Sequence, residues 1–229
     1  MRILAVDTAT KSCSVAITEE KTVLKELTAD NGQTHSRHLL KMIHAVMQST
    51  GLAMSRLDGF AVTRGPGSFT GLRIGISSIK GLALAVNKPV MGISSLEALA
   101  QQSGLESGRI CAIIDARRGE VYAAFYQAAP AGVFPESDEV VLPPHNLLMD
   151  ISHPCLFVGS GAKIYRDVIT EKLGNHARFA RPARHIIRAS TVALLALKRF
   201  ENGEVGKITE LVPQYIRKSD AELNFEKKH

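Results

Sequence analysis

The chain has 229 residues, 45% of them hydrophobic and 22% charged, with a net charge of +6, which fits one large or two small globular domains. It has no Trp and only 5% aromatics, which argues against an aromatic stacking platform for single-stranded nucleic acid. The three cysteines, Cys13, Cys111 and Cys155, are widely separated. They offer neither metal spacing nor a disulfide framework, and neither a secretory leader nor an apolar run of about 18 residues is visible. A cytoplasmic chain without a membrane span is therefore expected.

In chain order, residues 2–6 form a short apolar run that predicts a buried strand. Asp7-Thr8-Ala9-Thr10-Lys11-Ser12 is a polar turn, and 13–18 and 23–28 read as two further strands of an antiparallel meander. The period then changes. Leu39, Leu40, Ile43, Val46 and Met47 mark one wide apolar stripe of a helix over 36–50, with Thr34 or Ser36 as cap and Gly51 as stop. Next come a strand over 57–63, the Gly65-Pro66-Gly67 turn, a helix over 68–86, a strand over 90–94 and a helix capped by Ser95 and running through Gln101.

The stretch 103–108 is the best linker candidate. After it come strands at 109–115, 120–127, 138–142 and 156–158. A helix through Ile169, a helix over 189–201 capped by Ser190 or Thr191, and an extended segment over 210–217 complete the chain. Each half opens with an apolar strand ending in Asp, ILAVD at 3–7 and CAIID at 111–115. This echo predicts two similar α/β halves with a carboxylate at each inner turn.

Among the polar candidates, Asp7, Thr8, Thr10 and Ser12 could present N–H groups and hydroxyls to a phosphate, or simply bond within their own turn. Gly159-Ser160-Gly161-Ala162 could admit an adenosine or be a plain strand-to-helix turn. His35 and His38 stand three apart at a helix start without a nearby carboxylate or Cys, so no metal site is expected. Neither Ser68 nor Ser160 lies in a nucleophile-elbow pattern, and no Walker A motif is present. The densest basic cluster, Arg178, Arg181, Arg184, His185 and Arg188, is either a solvated face or a contact for tRNA or a nucleotide.

The run GPGSFTGLRIG at 65–75 is the most informative stretch. Gly71 and Gly75 lie four apart on one helical face, and each costs a helix about 1 kcal/mol relative to Ala. Close approach of another backbone is the usual compensation. Leu72, Ile76 and Ile79 add apolar surface around the same face, so the helix is expected to pack on two sides: its own sheet, and a neighbouring helix or a partner chain. A helix start behind such a loop can also bind an anion.

Taken together, MRILAVDTAT with CSVAI, QTHSRHLL at 33–40, the 65–75 run, IIDARRGEVY at 113–122, VGSGA at 158–162 and VPQYIR at 212–217 resemble the TsaB (YeaZ) family over nearly the whole chain. The resemblance implies an α/β fold of the actin/Hsp70/sugar-kinase type. Residues 1–103, with 210–229 packing back, would form one lobe, and 104–209 a second, degenerate lobe. It makes Asp7, Thr8 and Thr10 a first phosphate turn, Asp115 the head of a second, and Gly159 and Gly161 an adenosine turn. All of them would be vestigial, with weak ATP or ADP binding at most and no cofactor. It also implies no catalytic residue: the paired His-x-x-x-His of the catalytic relative TsaD is not matched by His35-Ser36-Arg37-His38.

The role implied is that of a scaffold. It would bind a TsaD-type transferase, together with a TsaE-type ATPase, in forming N6-threonylcarbamoyladenosine at position 37 of ANN-decoding tRNAs, reaching tRNA indirectly and forming a homodimer when alone. The implied interface is the helix pair over 36–50 and 69–86, represented by His35, Leu39, Ile43, Met47, Gly71, Leu72, Gly75, Ile76 and Ile79. The competing expectations are a stand-alone ATP- or metal-dependent enzyme of the same fold (a TsaD-like transferase or protease, or a small-molecule kinase) and a tRNA-binding module.

Overall fold

The computed structural model describes residues 1–30, 35–149, 151–204 and 206–217, without the side chains of His35 and Ser36. Of the caps proposed for the first helix, Thr34 lies outside the described residues, and so does the side chain of Ser36.

The first sheet is built from β1 (Arg2–Asp7), β2 (Cys13–Glu19), β3 (Thr22–Ala29), β4 (Gly59–Gly65) and β5 (Val90–Ser94), in the order β3-β2-β1-β4-β5. β1 pairs antiparallel with β2 and parallel with β4, and β4 pairs parallel with β5. The second sheet holds β6 (Gly108–Arg117), β7 (Glu120–Ala129), β8 (Gly132–Pro135), β9 (Val140–Leu142), β10 (Cys155–Val158) and β11 (Ala177–Phe179). Its order is β11-β10-β6-β7-β8, with β9 also on β7. Read from the other edge, the two orders and their parallel and antiparallel pairings coincide. The echo of ILAVD and CAIID is thus a duplicated topology, with β6 in the place of β1.

Seven α-helices are described: α1 (His35–Thr50), α2 (Phe69–Val86), α3 (Ser95–Gln101), α4 (Pro144–Leu147), α5 (Ser160–Ile164), α6 (Arg166–Leu173) and α7 (Ala189–Glu201). They form the outer layers and a middle one. Side chains alternate across a strand, and β1 uses both faces. Leu4 and Val6 pack with Leu39, Ile43, Val46, Met47, Ile76 and Ile79 under α1 and α2. Ile3 and Ala5 pack with Val192, Ala193 and Ala196 of α7 and with Leu96 of α3. β6 repeats this: Ile110, Ala112 and Ile114 face the same middle layer, while Cys111 and Ile113 face α4–α6. A strand buried on both sides needs a near-continuous apolar run, which β1 and β6 have. β3 lies at an edge and is largely exposed and polar.

Some elements depart from expectation. Ser94, not Ser95, caps α3: its Oγ accepts from the N–H groups of Leu96 and Glu97, both at 3.2 Å. The helix expected through Ile169 breaks at Tyr165 into α5 and α6. β8, β11 and α4 are too short to show in the pattern. Neither Ser190 nor Thr191 caps α7; its N-cap is Arg188, without a side-chain cap. α7 lies against β1, β2 and β4 of the first sheet. With α3 it forms a middle layer that closes the apolar inner faces of both sheets at once.

Candidate functional site: the inner turns and the outer helix pair

The turn after β1 carries Asp7 and Thr8, both fully buried. Asp7 Oδ1 accepts from the Thr63 hydroxyl at 2.7 Å and from the Ala9 N–H at 3.1 Å. Asp7 Oδ2 has no hydrogen-bond partner among the described residues. Burial pushes this carboxyl up to about 7, against the opposing bonds from Thr63 and Ala9. Thr63 had no visible role in the sequence; as a polar residue near the end of β4, it becomes Asp7's partner only through the β1–β4 pairing.

The GPGSFTGLRIG run closes over this turn. The Thr8 hydroxyl donates to the Gly71 carbonyl at 2.7 Å, and the Ser68 N–H donates to the Ala9 carbonyl at 2.7 Å. Ser68 also caps α2, accepting from the Gly71 N–H at 3.2 Å. A Cβ on Gly67 would collide with the Ala9 carbonyl, one on Gly71 with the Thr8 carbonyl, and one on Gly75 with the Thr8 hydroxyl. The expected backbone approach is real at Gly71, where the approaching backbone is the chain's own first turn; at Gly75 the neighbour is the Thr8 side chain instead. Asp7 Oδ1 is thus committed to β4 and the Thr8 hydroxyl to α2, and of Asp7, Thr8 and Thr10 only Thr10 is partly open.

The second set of turns is similarly engaged. Gly159 and Gly161 abut Ile113, so a Cβ on either would strike that residue. The Gly159 N–H donates to His185 Nδ1 at 3.1 Å. His185 is therefore buried against the glycine turn rather than displayed in a basic cluster, and its burial lowers its pKa against two backbone bonds. Asp115 is half-buried. Its N–H donates to Ser160 Oγ at 3.2 Å, and its Oδ1 accepts from the Arg117 N–H at 3.0 Å. Asp115, Ser160, Gly159 and His185 thus spend these polar groups on one another and on the turn's own backbone. Among the described residues no group of three or more His, Cys, Asp or Glu side chains is placed to hold a metal ion.

The helix pair has two faces. Leu39, Ile43, Met47, Gly71, Leu72, Gly75, Ile76 and Ile79 are all buried. As residues facing a partner they need correction: they fill the lobe's own core or press on its turn, because the apolar stripe that pattern analysis finds is the stripe the sheet consumes. The side chain of His35 lies outside the described residues. The outer face is a separate surface that the sequence pattern did not isolate. There, a groove of about 470 Å³ runs between the helices, lined by Leu40, His44, Gln48, Leu52, Met54 and Leu82 over the edges of Ile43 and Met47. Leu40 is 58% exposed and Leu84, further along α2, is 70% exposed. Periodicity counted Leu40 within the buried stripe, whereas it points outward.

α2 has the length and hydropathy of a membrane-crossing helix, yet its buried face is the one that packs on β4 and the first turn.

Comparison with known proteins agrees with this architecture. The activator of 2-hydroxyisocaproyl-CoA dehydratase from Clostridium difficile, solved with bound ADPNP, matches with a TM-score of 0.51 at 11% identity over 89% of this chain and 97% of that one. That likeness concerns the fold alone, which is of the actin/Hsp70/sugar-kinase class. Residues 22–225 match the family model described as TsaD, tRNA N6-adenosine threonylcarbamoyltransferase. The tRNA threonylcarbamoyladenosine biosynthesis protein TsaB of Bacillus subtilis is 32% identical over 98% of both chains, and that of Escherichia coli 35% identical over 96% of both. The structure of YeaZ from Pseudomonas aeruginosa matches with a TM-score of 0.81 at 32% identity, covering 93% of this chain and 99% of that one. The chain belongs to the TsaB (YeaZ) family of tRNA threonylcarbamoyladenosine biosynthesis proteins.

Proposed function

We propose that this chain is a non-catalytic subunit that docks on a TsaD-type transferase and supports it in forming N6-threonylcarbamoyladenosine at position 37 of ANN-decoding tRNAs in the cytoplasm. The observation that carries the reading is the apolar groove on the outer face of α1, closed by the 51–54 segment and Leu82 of α2, with Leu40 exposed in its lining. Exposed large apolar side chains around a concave apolar floor are what a protein interface needs. The partner would cover about 800 Å² of this face, and two copies would bury the same groove in a homodimer when the chain is alone. A TsaE-type ATPase joins the assembly in this reading. The chain has no nucleotide-dependent work of its own, consistent with inner turns that are filled by α2 and by Ile113.

The test pairs a Leu40→Asp variant with nucleoside analysis of bulk tRNA. The expected outcome is a folded protein that no longer co-purifies with the TsaD-type partner and no longer restores the modified nucleoside in depleted cells. Unchanged co-purification would reject the groove as the interface. ATP or peptide turnover by the purified chain at enzyme-like rates would instead favour a stand-alone enzyme.

A further inference from the structure

The positive charge of this chain is concentrated at one end of the second sheet. Segments 115–119, 159–167 and 178–185 carry seven Lys and Arg against two Asp, a net +5 of the chain's +6. Topology brings them together. β6, β10 and β11 run parallel, so the segments leaving their C-terminal ends emerge at the same edge. Arg117 and Arg118 sit at the tip of the β6–β7 turn, Lys163 and Arg166 on α5 and α6, and Arg178, Arg181 and Arg184 along and after β11; all are exposed.

Direct contacts knit the three segments. Asp115 bonds Ser160 and also the Tyr165 hydroxyl. Arg166 lies over the Phe179 ring at 4.1 Å, Lys163 and Arg166 both act by charge on His185, and Arg184 donates to the Gln102 carbonyl at 2.9 Å. Asp115, one of the two acids, is already engaged by Tyr165 and by the Arg117 N–H.

We propose that this basic end of the second lobe binds the phosphate backbone of RNA directly. Cations spread over three segments, some with their stems held, suit a run of spaced phosphates better than a single anion. Phe179 is covered by Arg166, so that ring is not open for a base to stack on. Recognition would therefore be through phosphates, independent of sequence and strongly salt-dependent. The surface shares no residue with the α1–α2 groove, so partner and RNA can be held at once. The choice of RNA as the polyanion rests on the family's place in tRNA modification. The exposed Ile164 and Val168 beside Lys163 and Arg166 make an anionic membrane the competing occupant.

The experiment measures binding of the full chain to an unmodified tRNA transcript by fluorescence anisotropy between low and physiological salt. It uses the wild type, Arg117→Glu/Lys163→Glu/Arg181→Glu, the milder Arg117→Gln/Lys163→Gln/Arg181→Gln, Arg37→Glu/Lys41→Glu on α1, and Leu40→Asp in the groove. The basic-end variants should bind at least tenfold more weakly, with a salt slope shallower by about 2, as expected when three phosphate contacts are lost. The α1 and groove variants should bind RNA as the wild type does, and the basic-end variants should still co-purify with the TsaD-type partner. The proposal is overturned if the wild type fails to bind at low salt, or if the glutamine variant, folded by circular dichroism, binds like the wild type. It is equally overturned if phosphatidylserine vesicles capture the wild type while tRNA does not. Loss of partner binding in Leu40→Asp alone bears only on the groove.

Discussion

At the scale of single residues, Asp7 and the helix glycines show how the turn after β1 is held. A carboxyl pushed up to about 7 when folded and ordinary, near 3.8, when unfolded binds its proton more tightly in the native state. Its contribution to stability is therefore complete below about pH 4 and is lost as pH rises to 7, beyond which it is flat. At about 1.4 kcal/mol per pH unit, the ionised form costs the fold about 4 kcal/mol. Asp7→Asn should abolish that component. The difference in unfolding free energy between the two proteins, followed by urea denaturation from pH 4 to 8, should grow with pH and then level; a constant difference would refute the assignment. The glycines separate by their surroundings. Gly75→Leu, with Thr8 in its way, should cost at least 1–3 kcal/mol by overpacking. Gly81→Ala, on the same helix with open space around it, should stabilise by up to about 1 kcal/mol. Thermal unfolding of the two variants reads both signs.

At the scale of elements, α7 is tied to the first sheet by a carboxylate from β3. Glu26 accepts from the Ser190 N–H at 3.0 Å and the Ser190 hydroxyl at 3.1 Å, and pairs with Arg188. It supplies from another element the first-turn acceptor that α7's own sequence lacks. Beside it, Ser14 Oγ accepts from the Ala189 N–H at 3.0 Å. Burial opposes the ionised form of Glu26, but Arg188 and the Ser190 bonds outweigh it and hold the carboxyl below its ordinary range. A depressed carboxyl stabilises the fold above its unfolded pKa, and that contribution fades as pH falls through the folded value. Glu26→Ala should cost about 2 kcal/mol at pH 7 and progressively less in acid, measured by chemical denaturation. An equal cost at pH 3 and pH 7 would count against the ion-pair account. In the sequence, Glu26 is one residue of a strand expected over 23–28, with nothing to set it apart. Its partners at the start of α7 lie 162 to 164 positions away, beyond what local periodicity can show.

At the scale of the whole molecule, the last described segment straps the two sheets together. The Gln214 N–H donates to the Arg64 carbonyl at 2.7 Å, and Lys80 donates to the Leu211 carbonyl at 3.2 Å, both on the first lobe. Arg217 pairs with Glu120 at 2.8 Å and donates to the Ala116 carbonyl at 2.9 Å on the second. Tyr215 stacks on Phe69 with ring centroids 4.5 Å apart, and its hydroxyl accepts from Arg73 Nε at 2.9 Å. Truncation after Glu210 removes these contacts. At about 1 kcal/mol per hydrogen bond and about 2–4 °C per kcal/mol in a chain of this size, it should lower the melting temperature by several degrees or more. An unchanged melting temperature would show that the strap is not needed to hold the sheets.

The two-lobed α/β class, the meander, the two apolar Asp-ended strands and the glycine run were legible in the amino-acid order, because buried strands and amphipathic helices impose short periods on sequence. The same order led to the expectation of a close neighbour at Gly71 and Gly75. Only the tertiary structure decided which one: the turn at Thr8 and Ala9, brought there by the β1–β4 pairing. It also decided that the apolar stripe of α1 and α2 is spent on the chain's own sheet, that the exposed groove lies on the other side, and that basic residues from three distant segments meet at one edge. Periodicity reports which face of an element is apolar. The neighbour that covers that face, and the surface left over for a partner, depend on pairings between residues far apart in the chain.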